Sequence, residues 1–157
     1  MRMTPDLSAR FGFLVTDVSR QYSQQFDRLA RERLGLSQAQ CRLLAVLAWH
    51  EGREPLSQAE LAQRLGLTAM AVATMCDRLA AAGWIERRAH PEDRRVNHLH
   101  IKPSARKALE QAMQISDELT GRALADFSAA ERKQLLALLA RARQGLMALG
   151  DAGEVLA

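Results

Sequence analysis

The chain has 157 residues, 48% of them apolar and only 4% aromatic, and carries a net charge of +4. That length suits one domain or two small intertwined lobes, and the core must be built mostly from Leu, Ala, Val and Met. No run approaches the roughly 20 apolar residues of a membrane span, and MRMTPDLSARF at the start lacks the apolar core of a signal peptide, so neither a membrane nor a secretory route is expected. The cationic excess is carried mainly by arginine, which suits bidentate contact with phosphate or guanine. Cys41 and Cys76 stand far apart in no metal-type spacing, which makes a reducing cytoplasm the expected location.

Residues 7–34 read as one long helix, because Leu7, Phe11, Leu14, Val18, Tyr22, Phe26 and Leu29 recur at steps of three and four. Gly35 stops it. A second helix follows in SQAQCRLLAVLAWHEG, opened by a Ser37/Gln40 capping box, with Leu43, Leu44 and Leu47 on its apolar face. Ser57 with Glu60 is another capping box, and Leu61 and Leu65 mark a short helix that Gly66 ends. Thr68 then caps a helix over residues 69–82. Two short helices joined by a tight Gly-containing turn form the helix-turn-helix pattern.

Gly83 ends that helix, and residues 84–88 and 96–101 read as two strands of a hairpin around the charged turn HPEDRR. Pro103 opens another helix, with Ala105, Leu109, Ala112, Met113, Ser116 and Leu119 expected on its buried side. Ser128 with Glu131 caps a last helix carrying Leu135, Leu138, Leu139, Ala142, Leu146 and Leu149, and DAGEVLA is expected to fray. The fold class is thus mainly α with a small β-hairpin wing. A winged helix-turn-helix lobe over residues 37–103 would be joined to a helical dimerisation region formed by residues 1–36 and 104–157. A long helix with a broad apolar face must bury it. A second copy of the chain related by a two-fold axis would do so, and a monomeric bundle is the plainer alternative.

On a helical wheel, Val72, Cys76 and Leu79 share the inner face of helix 69–82, with Met75 at its edge. Met70, Thr74, Asp77 and Arg78 point outward, flanked by Ala71 and Ala73. Small outward side chains suit a helix in a major groove. Thr74 has a hydroxyl for a base edge, Met70 and Ala71 can touch a thymine methyl, and Arg78 can meet a phosphate. Ser57, Gln58 and Thr68 offer polar groups and helix N-termini to the DNA backbone. In the turn, Asp93 stands two residues from Arg95. A carboxylate gripping that guanidinium would hold it ready for a narrow minor groove. Arg94 would reach the same groove or the adjacent phosphate, and Arg87, Arg88 and Lys102 the flanking backbone. Taken alone, the turn reads more simply as a solvated loop with a weak ion pair.

LSQAELAQRLGLTAMAVATMCDRLAAAGWIERR and the wing HPEDRRVNHLHI, with its Asp93-Arg94-Arg95 element, resemble the MarR family of winged helix-turn-helix regulators. The resemblance covers nearly the whole chain. It implies a homodimer joined through its terminal helices that represses genes from a near-palindromic operator on double-stranded DNA and releases it for a ligand or oxidant. The family often binds small aromatic acids between the dimer helices and the DNA-binding lobe. A small aromatic or phenolic effector is therefore expected, with Phe11, Phe13, Arg20, Tyr22, Trp49 and His50 as candidate lining. Two departures stand out. Lys102 occupies the place of a capping Thr before the helix after the wing, and Thr74 replaces the larger reader of some relatives, so base specificity does not carry over.

Some relatives sense oxidants through a first-helix cysteine, which is missing here. His98 and His100, with His90 at the turn, have a spacing that can bind metal, but they read more simply as wing histidines, and no metal site or cofactor is assigned. No nucleophile with a base, paired carboxylates or phosphate loop points to catalysis, so no catalytic residue is named and an enzyme is not expected. Two other readings stay open: a basic helical adaptor that binds a protein partner, and a metal-responsive regulator of the same fold.

Overall fold

A computed structural model describes residues 6–151. The elements run α1 (Phe11–Leu34), α2 (Gln38–Trp49), β1 (Leu56–Ser57), α3 (Gln58–Leu65), α4 (Ala69–Ala81), β2 (Ile85–Ala89), β3 (Asn97–Ile101), α5 (Pro103–Ala123) and α6 (Ala129–Asp151). The chain divides into two compact units, one ending at Leu119 and the other beginning at Thr120.

In the first unit, the polar residues singled out in the sequence do cap the helices. Ser37 accepts from the Gln40 amide while the Gln40 side chain accepts from the Ser37 amide, and Ser57 and Glu60 repeat the arrangement on α3. Thr68 Oγ1 accepts from the Ala71 amide at 3.1 Å. Gly66 supplies the left-handed turn between α3 and α4 at φ +64°, which only glycine adopts without cost.

The core of this unit is made by Leu43, Leu44, Leu61, Val72, Cys76, Leu79, Ile85 and Ile115, with Phe26, Leu29 and Ala30 from α1. The expected inner face of α4 is therefore the buried one. The long stripe of α1, in contrast, divides. Its C-terminal half packs into the core, while Phe11, Leu14 and Val18 are exposed. The helix also begins four residues later than the expected residue 7. The Ser8 amide and hydroxyl both bond Asp6 Oδ1, which holds residues 6–10 in a turn.

On α5 the buried stripe is Ala105, Ala108, Ala112 and Ile115, so the expected inward placement of Met113 is corrected: it is exposed. The helix turns Ala108 and Ile115 toward the lobe and leaves Leu109, Met113 and Ser116 along a neighbouring hollow.

The sheet has three strands, in the order β1-β3-β2, all antiparallel. β1 was not anticipated. It is two residues long, pairs Leu56 with Leu99 and Ser57 with His98, and shares Ser57 with the cap of α3. Despite Lys102, the junction into α5 is held by backbone: the Lys102 amide bonds the Trp84 carbonyl at 2.9 Å, and Ser104 Oγ donates to the Gly83 carbonyl at 3.1 Å.

In the second unit, Ser128 and Glu131 form the expected capping box on α6. Leu136, Leu138, Leu139, Leu146, Met147 and Leu149 on that helix are exposed. The expected fraying of DAGEVLA falls, beyond Asp151, outside the described residues. Among the described residues, no helix is long and apolar enough to cross a membrane.

Candidate nucleic-acid interface

The face of α4 opposite its buried side carries Met70, Ala71, Thr74, Asp77 and Arg78, all exposed. Thr68, Met70, Ala71, Thr74 and Arg78 line one open groove of about 510 Å3, with Arg31, Ser37 and Gln40 opposite them. None of these three was named as a DNA contact in the sequence, where Ser37 and Gln40 read only as a capping box, because only the packing of α1 and α2 brings them beside α4. Thr68 and Ser57 use their oxygens as acceptors for the helix amides, and their hydroxyl hydrogens remain able to donate outward.

The seven-residue loop between β2 and β3 is closed by the His90 amide donating to the Val96 carbonyl at 2.8 Å. Inside it, His90 Nδ1 accepts from the amides of Glu92 and Asp93 at 3.0 and 3.2 Å. The His90 ring meets His98 edge-on, with centroids 4.8 Å apart. The structure thus gives His90 an organising place in the turn that a short sequence motif does not announce. At the tip, Asp93 Oδ1 accepts from the Arg95 amide at 3.0 Å and from its Nε at 3.3 Å. The Arg95 side chain is nonetheless 92% exposed. The acid holds the base of the arginine and leaves its far end in solvent.

The remaining wing cations differ in their setting. Arg88 is exposed and paired with Glu86. Arg94 and Lys102 are exposed. Arg87 turns inward: its Nε and Nη2 donate to Gln58 Oε1 at 3.1 and 3.0 Å, and Nη2 to Asp77 Oδ1 at 2.5 Å.

A second hollow, of about 710 Å3, lies among α1, α2 and α5 within the first unit. Tyr22, Phe26, Cys41, Arg42, Trp49, Arg106 and Met113 are among its lining residues. Of the candidate effector residues, Tyr22 and Trp49 border it. Phe11, Phe13 and Arg20 lie elsewhere on α1, with Arg20 paired to Asp17, and His50 Nδ1 sits 2.8 Å from the Val46 carbonyl beside a smaller depression. Arg42 and Arg106 were not named, and Met113 was expected in the core, because the sequence offers no sign of which α5 stripe faces α2. Tyr22 Oη and Ser116 Oγ are hydrogen-bonded at 2.8 Å, and Arg106 pairs with Glu51.

Burial pushes both thiols up, Cys41 and Cys76 each to about 11. A thiol at that value is almost wholly protonated at neutral pH and reacts slowly with oxidants. Among the described residues, no three His, Cys, Asp or Glu side chains are grouped to hold a metal ion.

The family model described as MarR family matches residues 34–96, the segment from the end of α1 through the wing. The HTH-type transcriptional regulator YdgJ of Bacillus subtilis is 30% identical over 112 residues, a match that spans 71% of this chain and 66% of that protein's length. The chain belongs to the MarR family of winged-helix transcriptional regulators. Among solved structures, the reduced form of MarR from Escherichia coli superimposes with a TM-score of 0.76 at 22% identity, covering 90% of this chain and 98% of the other. MepR of Staphylococcus aureus in complex with DNA gives 0.71 at 22% identity, covering 90% and 99%. At such identities these two likenesses speak for the fold.

Proposed function

We propose that this MarR-family regulator is a homodimer that binds a near-palindromic operator in double-stranded DNA, represses from it, and releases it when a small aromatic or phenolic effector binds. The observation that carries the DNA-reading part is the wing tip. A guanidinium that is held at its Nε by Asp93 yet almost fully exposed serves no packing purpose, and it suits insertion into a narrow minor groove. Residues 37–103 would be the reading lobe. Within it, Thr74, Met70 and Ala71 would meet base edges in the major groove. Arg78, Arg94 and Lys102 would serve the backbone, together with Ser57, Gln58 and Thr68 at the helix starts, while Arg88 stays with Glu86. The structurally similar MepR is described with DNA bound, which favours the same class of partner here.

The dimer rests on surface chemistry. Phe11, Phe13, Leu14, Val15 and Val18 on α1 are exposed, as are six large apolar residues on α6. Stripes of that size on a monomer call for a cover. A second copy, meeting residues 1–36 and 104–157 of the first, provides one. The effector would occupy the hollow beside Tyr22 and Trp49, whose volume lies in the range of small-molecule sites.

Binding of the full chain to the DNA immediately upstream of its own coding sequence tests this reading, in the presence of mixed-sequence competitor and with the mass measured by sedimentation. A dimer retained on one site at moderate salt, with affinity falling steeply as salt rises, is the expected result. A monomer, or binding without preference over competitor, would overturn it.

A further inference from the structure

The geometry points to Arg87 as a strut that sets the position of α4 against the wing, rather than a phosphate contact, and to Asp77 as its anchor; the inference rests on the DNA-reading function proposed above. The pleat explains why. Side chains two apart in a strand share a face. Arg87 follows Ile85, which is buried, and stands opposite Leu99, which is also buried, so β2 aims Arg87 at the helices and Arg88 away from them. There one guanidinium joins three elements. It rises from the wing, grips Gln58 at the first residue of α3, and grips Asp77 on the outward side of α4, between the turns that carry Thr74 and Arg78. Its side chain is 29% exposed against 72% for Asp77.

The pair also resolves an electrostatic oddity. An uncompensated carboxylate on the groove-facing side of α4 would repel phosphates, and Arg87 neutralises it in place. A planar fork can hold both acceptors at once, which an ammonium on a flexible stem cannot reproduce. Fixing α4 against β2 matters because a major-groove helix and a minor-groove arginine must enter their grooves together.

The strut and a simple cation predict opposite outcomes. The full-length parent, Arg87→Lys, Asp77→Ala and the double variant are titrated by fluorescence anisotropy. The probes are a duplex that the parent selects from a random-sequence pool and a mixed-sequence duplex of equal length, each over a series of KCl concentrations. For a strut, Asp77→Ala loses on the order of tenfold on the selected duplex although it removes a negative charge beside DNA, while binding to the mixed duplex does not weaken. Arg87→Lys loses a similar factor despite keeping its charge. The double variant is no worse than either single one, and the salt slope stays as in the parent.

Tighter or unchanged binding of Asp77→Ala to both duplexes, with the ratio preserved, would overturn the strut, as would full retention by Arg87→Lys. Gln58→Ala, at a half-buried helix start, is the second route if either variant fails to fold: a reduced ratio supports the strut and an unchanged one removes it. A parent that selects no sequence would bring down the DNA-reading function and the strut together. A parent that selects one, with variants equal to it, removes the strut alone.

Discussion

Replacing Arg95 by Ala separates binding from folding, because the side chain is exposed and lies outside the core. The side chain is 92% exposed and engages Asp93, itself 43% exposed, through Nε. A pair of that kind contributes about 0–1 kcal/mol to folding. In a chain of this size that corresponds to a melting shift of at most about 4 °C. Binding should suffer far more. A hydrogen bond made by a charged group is worth about 1.5–3 kcal/mol. With one wing per protomer, a dimer forfeits about 3–6 kcal/mol, or roughly a hundred- to ten-thousandfold in affinity. The slope of log affinity against log salt should fall by about one for each arginine removed. Anisotropy titrations on a selected duplex, run beside thermal melts and sedimentation, supply all three quantities. Asp93→Ala is the companion: the charge stays but the arginine is untethered, so affinity should drop by a smaller factor with the slope retained. Parent-like affinity in Arg95→Ala would refute the wing assignment. A melting loss above about 10 °C would show instead that the arginine is needed to build the turn.

Other expectations follow from the same geometry. With its thiol raised from 9.0 to about 11, Cys76 should carry about a hundredfold less thiolate at pH 7.5 than an ordinary cysteine, so iodoacetamide should label native protein far more slowly than urea-unfolded protein. Ser57→Ala should cost about 0.5–2 kcal/mol in a denaturant melt. The Ser57 amide and hydroxyl hold the Glu60 carboxyl below its ordinary 4.5. Its contribution to stability is therefore present above pH 4.5 and lost as the pH falls through the lower folded value, a dependence that Glu60→Gln should flatten. Val18→Asp, on the exposed half of α1, should shift the sedimenting species from dimer to monomer while each monomer keeps its helical content.

Much of the fold was legible because its signals are local. Three capping boxes, the Gly66 turn and the Val72–Cys76–Leu79 face each lie within one or two helical turns, and the structure realises all of them. The Asp93–Arg95 contact is local too, two residues apart. What escaped depends on partners far along the chain. β1 is two residues of no visible period that become a strand only because Leu99 and His98 lie beside them. Arg87 looked like one more wing cation until strand register fixed which face it shares with Ile85, and its partners stand 29 and 10 residues away. The hollow was only half visible, since Tyr22 and Trp49 are conspicuous aromatics while Arg42 and Arg106 depend on how α5 rotates against α2.

That distinction changes how the charge of this surface should be counted. Six cations per protomer, Arg78, Arg87, Arg88, Arg94, Arg95 and Lys102, have residue types suited to phosphate. If all of them released counterions, a dimer would show a log–log salt slope near −11, at about 0.9 per phosphate neutralised. The structure removes two from that count: Arg87 is committed to Asp77 and Gln58, and Arg88 to Glu86. Arg95 stays in it, because Asp93 takes only its backbone amide and Nε and leaves the terminal nitrogens forward. Four cations per protomer give a slope near −7. A measured value close to −7 that steepens toward about −9 in Glu86→Gln, as Arg88 is freed, would mean that the wing acids hold arginines back and that the wing reads the groove with fewer charges than its composition suggests. A slope near −11 would mean that DNA pulls both arginines off their acids, and the inward placement of Arg87 would then describe the free protein alone.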